Sequence, residues 1–244
     1  MGIVPVLFQS EGVASGDFRP RPSLTPGHQV VYRGWMLTPG EYQALHAAIE
    51  GRGGRPLTSA RDYQSAHYLP EWYPTFADIT PKTVVLSKDV DFVSALSGLP
   101  WSAYFVKDYV KSLTTKRGSV AQTPSEVRDI INEIEKYRGQ VEGGVCVREY
   151  ERLRPETEER FFAFRGKVFG RTELEIPTQV ASIAQKMNLP FISIDVAERE
   201  DGVLRLIEIG DGQVSDKKKW GLQHFAEVIC TELANNSLER TRDR

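Results

Sequence analysis

The sequence predicts an α/β protein, and three observations carry that expectation. Helix-start signals alternate with apolar runs: Thr38-Pro39-Gly40-Glu41 and Thr123-Pro124-Ser125-Glu126 each precede an amphipathic stripe. Two stretches read as β-hairpins, residues 159–172 about Arg165-Gly166 and residues 191–213 about Asp201-Gly202. The chain has 244 residues, 40% hydrophobic and 26% charged, enough for one large domain or two modest ones with a real core.

Each element follows from local chemistry. Residues 3–8 (IVPVLF) and 30–37 (VVYRGWML) read as strands, with a Gly/Pro/Ser/Arg-rich loop over 10–28. Thr38 caps a helix with Pro39 at its first position, and Tyr42, Leu45 and Ile49 form its apolar face up to Gly51. Residues 59–81 are aromatic and proline-punctuated without period, which reads as a long ordered loop or a set of short pieces. SAYFVKDYV, from Ser102, is a strand. A helix then runs from the Thr123 signal to Gly139, with Val127, Ile130, Ile131 and Ile134 inward. GVCVREY (144–150) is a strand, PTQVASIAQKM (177–187) a helix, and a last helix spans about Trp220 to Leu233 before a polar, fraying end.

Composition excludes some functions. A formal net charge of −2 gives no support to bulk nucleic-acid binding. No apolar run approaches the ~20 residues of a membrane span, and the start MGIVPVLFQS has no basic n-region or long apolar segment. Cys146 and Cys230 sit far apart in apolar contexts and read as free thiols, which fits a reducing cytoplasm.

The second hairpin carries the first functional signal. With Asp201-Gly202 as a two-residue turn, Glu200 faces Val203 and Asp195 faces Glu208. Ile192, Ile194, Val196, Ile207 and Ile209 then share a core face, while Ser193, Asp195, Glu208 and Gly210 share the other. Facing carboxylates about 5 Å apart repel unless a cation lies between them, and magnesium suits one or two carboxylates plus phosphate oxygens. Asp211, just beyond, offers a third ligand. The first hairpin repeats this logic with the sign reversed. Arg160 faces Arg171, which an anion would stabilise. Lys107 ends an apolar strand where a phosphate would sit, and Lys111 follows four residues on. Each residue also has a plainer reading, as a solvated side chain or an acid exposed at a hairpin end. Arg33, after the strand VVY, presents a fork suited to a substrate carboxylate, or is a surface arginine.

The order of these features resembles the ATP-grasp superfamily, in particular its RimK-related clade. A lysine strand and a helix lead to the strand with Arg148, Glu149 and Tyr150. The arginine hairpin, a helix and the Asp195…Glu208 hairpin follow. The resemblance covers about residues 100–235, and VYRGWML and YLPEWY are similar to that clade's N-terminal portion. It implies an ATP-grasp fold of two α+β lobes clamping a nucleotide. A small N-terminal α/β domain (1–99) would precede the ATP-grasp core (100–236), with a polar tail (237–244) after it. It implies Lys107 and Lys111 at ATP phosphates, the backbone of Arg148, Glu149 and Tyr150 at the adenine edge, and Glu159 preceding the phosphate arginine Arg160. Arg171 would sit over the phosphates, and Asp195 and Glu208, with Asp211, would hold Mg2+. The implied reaction is ATP-dependent ligation of a small-molecule or peptide carboxylate to an amine through an acylphosphate. Two departures stand out. The usual Glu-x-Asn metal motif is Glu208-Ile209-Gly210, and the expected Gly-rich lid is reduced to TTKRGS (114–119). A catalytically inert ATP-binding module and a phosphotransferase of the same fold are the alternatives. Substrate identity and oligomeric state have no signature in the sequence.

Overall fold

The computed structural model describes residues 3–172 and 175–242; Met1-Gly2 and residues 243 and 244 lie outside them. In chain order the elements are β1 (Gln29–Val30), α1 (Pro39–Gly51), β2 (Arg55–Pro56), α2 (Ala60–His67), α3 (Leu69–Phe76), β3 (Thr83–Leu86), α4 (Phe92–Leu96), β4 (Tyr104–Asp108), β5 (Val120–Ala121), α5 (Glu126–Arg138), β6 (Val145–Glu149), β7 (Glu159–Phe164), β8 (Lys167–Phe169), α6 (Thr178–Met187), β9 (Ile192–Glu198), β10 (Leu204–Asp211) and α7 (Leu222–Arg242). The chain divides into two compact units, both discontinuous. The first is Met1–Ala66, Arg160–Ile194 and Gly210–Arg244; the second is His67–Glu159 and Asp195–Ile209.

In the first unit, α1 starts as its sequence dictates. Thr38 Oγ1 accepts from Glu41 N at 3.3 Å, and Glu41 Oε2 accepts from Thr38 N at 2.8 Å. Its face of Tyr42, Leu45 and Ile49 packs with Phe18, Tyr32 and Tyr63, and the Tyr42 and Tyr63 rings stack 3.9 Å apart. A second core gathers Phe162, Phe164, Phe191, Trp220 and Phe225. There β7 lies between β8 and the start of β9. β7 and β8 pair Phe164 with Lys167 and Phe162 with Phe169. Between them Arg165 (φ 47°) and Gly166 (φ 84°) are both left-handed, as a two-residue hairpin turn of this twist requires.

The second unit contains an antiparallel sheet in the order β3-β6-β4-β5. Strand alternation divides its faces. Tyr104, Val106, Val145 and Val147 meet the α5 stripe of Val127, Ile130, Ile131 and Ile134, all buried. Fully burying a Val- or Ile-sized side chain contributes about 1.5–3 kcal/mol. The register Phe105↔Arg148 and Lys107↔Cys146 puts those four residues on the other face. α5 ends at Gly139, whose φ of 79° lets its N–H reach Glu135 O at 2.8 Å.

Several expected elements differ. Residues 3–8 make only an isolated bridge, Leu7 with Arg21. Of the expected strand 30–37 only Val30 is paired, with Pro56. The chain turns instead at Gly34, where a Cβ would fall 2.4 Å from the Tyr32 hydroxyl. Residues 59–81 are the set of short pieces rather than the long loop, and contain α2 and α3. Each has 8 residues, too few for a period to stand out, and Pro74 lies inside α3. Leu69, Trp72 and Phe76 nonetheless share its buried side. α5 begins at Glu126 with Ser125 as N-cap, later than the Thr123 signal placed it. α7 continues to Arg242 where fraying was expected. Cys146 and Cys230 are free thiols, the first buried and the second half-buried.

The β9–β10 turn is also corrected. Arg199 N donates to Val203 O at 2.9 Å and Gly202 N to Arg199 O at 2.8 Å. The loop is therefore three residues, Glu200–Gly202, with left-handed Gly202 (φ 84°) at its last position. Val203 faces Arg199 rather than Glu200, and the register at this turn no longer yields Asp195 opposite Glu208. β9 is buried on both sides, Ser193, Asp195 and Ala197 included. No polar face is exposed there.

Candidate functional site

Of the expected phosphate and metal residues, the second unit holds Lys107, Lys111, Asp195 and Glu208. Lys107, on the non-core face of β4, is 4% exposed, and its ammonium lies 2.9 Å from Glu208 Oε1. Two residues singled out for different ligands thus meet each other, 101 positions apart in sequence. Arg148, opposite Phe105, is also buried; it donates to Ile207 O at 3.0 Å and to Thr80 Oγ1. Its Nε is buried with no hydrogen-bond partner. Burial pulls Arg148 down to about 10, against the charge of Glu208. Burial holds His67 down at about 3, helped by Lys111 and Lys107, so its ring is neutral at physiological pH. Asp195 is buried within β9, and Glu208 is half-exposed on β10.

Asp108 is a residue the sequence reading missed. It is fully buried, and its Oδ1 accepts from Val110 N at 2.8 Å and Lys111 N at 2.6 Å, while Oδ2 takes Arg138. It fixes the turn that follows Lys107 and leaves Lys111 exposed. The signal was present in Lys-Asp-Tyr-Val-Lys, since an Asp readily accepts from backbone N–H groups two and three residues on. At the expected adenine edge, Glu149 N donates to Lys82 O at 2.8 Å and Tyr150 N to Ala103 O at 3.0 Å. Those two donors are engaged within the second unit. A cavity of roughly 470 Å³ lined by Leu86, Lys88, Tyr109 and Gly144, among others, includes none of the expected site residues.

In the first unit, Arg160 is buried at the start of β7 and donates to Asp216 O at 2.6 Å. Arg171 is exposed and lies beyond the last ladder pair, Phe162 with Phe169, so the two arginines do not face each other across the sheet. Asp211 is fully buried; its Oδ1 accepts from Gln213 N at 2.8 Å and Gln213 Nε2 at 3.1 Å, and its Oδ2 has no partner. Burial pushes its carboxyl up to about 7, opposed by the Gln213 donors and the charge of Arg33. The Gln213 amide also donates to Tyr42 Oη at 2.9 Å, and its oxygen accepts from Tyr32 N at 3.1 Å. Nothing in the local sequence marks Gln213 as the centre of a buried network. Arg33 donates to main-chain carbonyls of residues 212, 213 and 215, so its fork holds backbone where a substrate carboxylate was expected.

Among the described residues no group of three or more His, Cys, Asp or Glu side chains is arranged to hold a metal ion. Asp195 and Glu208 still supply hard carboxylate oxygens, the chemistry magnesium takes alongside phosphate.

The fold is the two-lobe ATP-grasp architecture. It is similar to the D-alanine–D-alanine ligase of Coxiella burnetii (TM-score 0.59, 15% identity, 92% of this chain and 75% of that chain). It is also similar to the D-cycloserine synthetase DcsG (TM-score 0.57, 17% identity, 84% of each chain). A RimK domain ATP-grasp protein of Sphaerobacter thermophilus aligns as well (TM-score 0.52, 14% identity, 80% of this chain and 74% of that chain). No curated protein sequence matches the chain. Residues 97–233 match an ATP-grasp domain family, family 3 of its clade, and the chain belongs to that family. Among the described residues no helix is long and apolar enough to cross a membrane.

Proposed function

We propose that this protein is an ATP- and magnesium-dependent ligase that joins a carboxylate to an amine through an acylphosphate. The observation that carries the reading is the contact between Lys107 and Glu208. A lysine suited to phosphate and an acid suited to a divalent cation meet on the non-core side of one sheet, in a chain of the ATP-grasp family. The family match over residues 97–233 also supports a core at 100–236, preceded by an N-terminal portion (1–99) and followed by a polar segment (237–244).

In this reading a substrate carboxylate oxygen attacks the γ-phosphorus of ATP and ADP leaves. The amine then attacks the acyl carbon and phosphate leaves. Lys107 and Arg160 bind and orient phosphate oxygens through charge-assisted hydrogen bonds. The family likeness supports Lys111 and Arg171 at the phosphates and Glu159 as the acid preceding the phosphate arginine. At residues 148–150 an adenine amino group meets carbonyl acceptors, because the Glu149 and Tyr150 donors are engaged. Magnesium, held by Asp195 and Glu208, would supply positive charge against the phosphates. Asp211 remains in its buried network.

Mass spectrometry of products after incubation with ATP, magnesium and an amino-acid pool tests the reading. A condensed product with stoichiometric ADP and phosphate is expected. ADP with a phosphorylated acceptor and no condensation would identify a phosphotransferase. One observation favours an inert nucleotide-binding module: Gly210 stands where the usual metal motif has Asn. Nucleotide binding without ADP release would establish that second reading.

A further inference from the structure

Arg33 makes an unusual set of contacts for a residue in an N-terminal loop. Its Nη1 lies 2.8 Å from Gly212 O, 2.6 Å from Gln213 O and 3.3 Å from Ser215 O, and its Nη2 lies 3.2 Å from Ser215 O. Its guanidinium carbon stands 5.3 Å from the centre of the Phe225 ring. The fork is thus occupied on one side by three main-chain carbonyls and packed on an aromatic ring. The segment it holds is pinned from other directions as well. The Ser215 and Ser193 hydroxyls are 2.7 Å apart, Gly212 N donates to Phe191 O at 3.0 Å, and Gln213 bridges Asp211, Tyr42 and Tyr32. The next residue, Asp216, offers its carbonyl to Arg160 Nη1 at 2.6 Å, and Arg160 O in turn accepts from Trp220 Nε1 at 2.9 Å.

We propose that Arg33 is a positioning residue for Arg160. By fixing the carbonyls of residues 212, 213 and 215 it fixes the Asp216 carbonyl, and that carbonyl sets where the Arg160 guanidinium points. The inference rests on the reading of Arg160 as a phosphate ligand. It removes Arg33 from the substrate site and gives the N-terminal portion of the chain a part in the phosphoryl-transfer step. The planar fork donates from two nitrogens, Nη1 and Nη2; a lysine has all three of its N–H donors on one nitrogen at the end of a shorter side chain and cannot reproduce both positions. Lysine should therefore substitute poorly although the charge is kept.

The test is a double-mutant cycle read by binding of a non-hydrolysable ATP analogue with magnesium. Arg160→Ala should weaken binding about ten- to a hundredfold. Arg33→Met should weaken it about tenfold in the wild-type background and less than twofold in the Arg160→Ala background. Arg33→Lys should recover little of that loss. Losses that multiply across the cycle, or full recovery by lysine, would overturn the positioning role while leaving the nucleotide reading intact. Wild-type protein that binds no nucleotide would overturn both. Because Arg33→Met removes the donors to three main-chain carbonyls, amide hydrogen exchange on the milder Arg33→Lys protein provides a second arm. Amides of residues 212–216 should exchange at least tenfold faster, with those of α6 unchanged; equal protection at 212–216 would also sink the proposal.

Discussion

Glu208 and Asp211 lie three residues apart at the end of β10, and their environments differ completely. Glu208 has a side chain 40% exposed and holds the buried ammonium of Lys107 at 2.9 Å. Asp211 has no exposure, sits among the neutral groups of Gln213 and Tyr42, and has its carboxyl pushed up to about 7 by burial. One is a charged acid with a cation in hand. The other is neutral in mildly acidic solution and acts as a structural hydrogen-bonding group. Carboxylates three positions apart thus serve as a half-exposed ion-pair partner in one case and a buried hydrogen-bonding group in the other.

The largest effect that sharpens this contrast is pH dependence at Asp211. A carboxyl raised from its ordinary value near 4 to about 7 keeps its proton in the folded state after the unfolded chain has lost it. The folded state then binds more protons between about pH 4 and pH 7. Stability falls there as pH rises, by up to about 1.4 kcal/mol per unit, and is level above pH 7. Asp211→Asn should abolish that fall and match or exceed wild-type stability at pH 8. Urea denaturation of both proteins from pH 4 to 8 measures it. Parallel curves would mean that Asp211 is ionised throughout and that the comparison fails on its buried side.

Next in size is Glu208→Gln in the absence of metal. Two acids facing each other would gain stability when one is neutralised. The Lys107 contact reverses that sign, because the lysine side chain, 5% exposed, would lose its carboxylate. The expected loss is about 1–3 kcal/mol, below the figure for a fully buried pair because Glu208 is partly solvated. Chemical denaturation in a chelator decides it; unchanged or higher stability would return the hairpin to the opposed-acid picture.

These sign changes mark where the sequence stops being legible. The helices α1 and α5 and the β7–β8 turn were readable because each is specified within about a dozen residues: a Thr-Pro cap, an apolar stripe, Arg165-Gly166. Lys107 and Glu208 were each visible as strand-borne charges. Their meeting was not, since it depends on bringing together positions 101 apart. The Asp211 network fails to show for the same reason, as Tyr42 lies 171 positions from Gln213. Short helices hid as well. In α3 the prolines at 70 and 74 outweighed an apolar spacing of Leu69, Trp72 and Phe76. The carbonyl contacts of Arg33 were not legible either, because a fork that suits a carboxylate suits carbonyls equally well.

The same ion pair predicts a smaller, signed effect on binding. In metal-free solution Lys107 is held by Glu208, so a nucleotide phosphate must displace a carboxylate to reach it. Glu208→Gln should therefore bind ADP about tenfold more tightly than wild type in a chelator, on the scale of one charge-assisted hydrogen bond. With magnesium present the order should invert. Calorimetric titration with ADP in both buffers reads both signs. Equal metal-free affinities would show that Lys107 does not face the nucleotide.

The smallest effects lie in the turn, which fixes how β10 presents both acids. A two-residue turn of the kind expected from sequence needs positive φ at Asp201 and Gly202. The three-residue loop needs it only at Gly202, and Asp201 is not among the residues with positive φ. Asp201 also accepts from Val203 N at 3.2 Å and binds the Arg199 guanidinium. Gly202→Ala meets nothing within 4 Å, so its penalty is conformational alone, about 1 kcal/mol for the left-handed backbone. Gly202→Asn should lose less, since a short polar side chain tolerates that region. Asp201→Gly separates the two turns by sign. It would relieve strain and stabilise a two-residue turn, but here it discards the Val203 and Arg199 contacts and frees the unfolded chain. It should therefore destabilise the protein. Thermal melts of the three variants measure this, and a rise in Tm for Asp201→Gly would restore the register in which Asp195 faces Glu208.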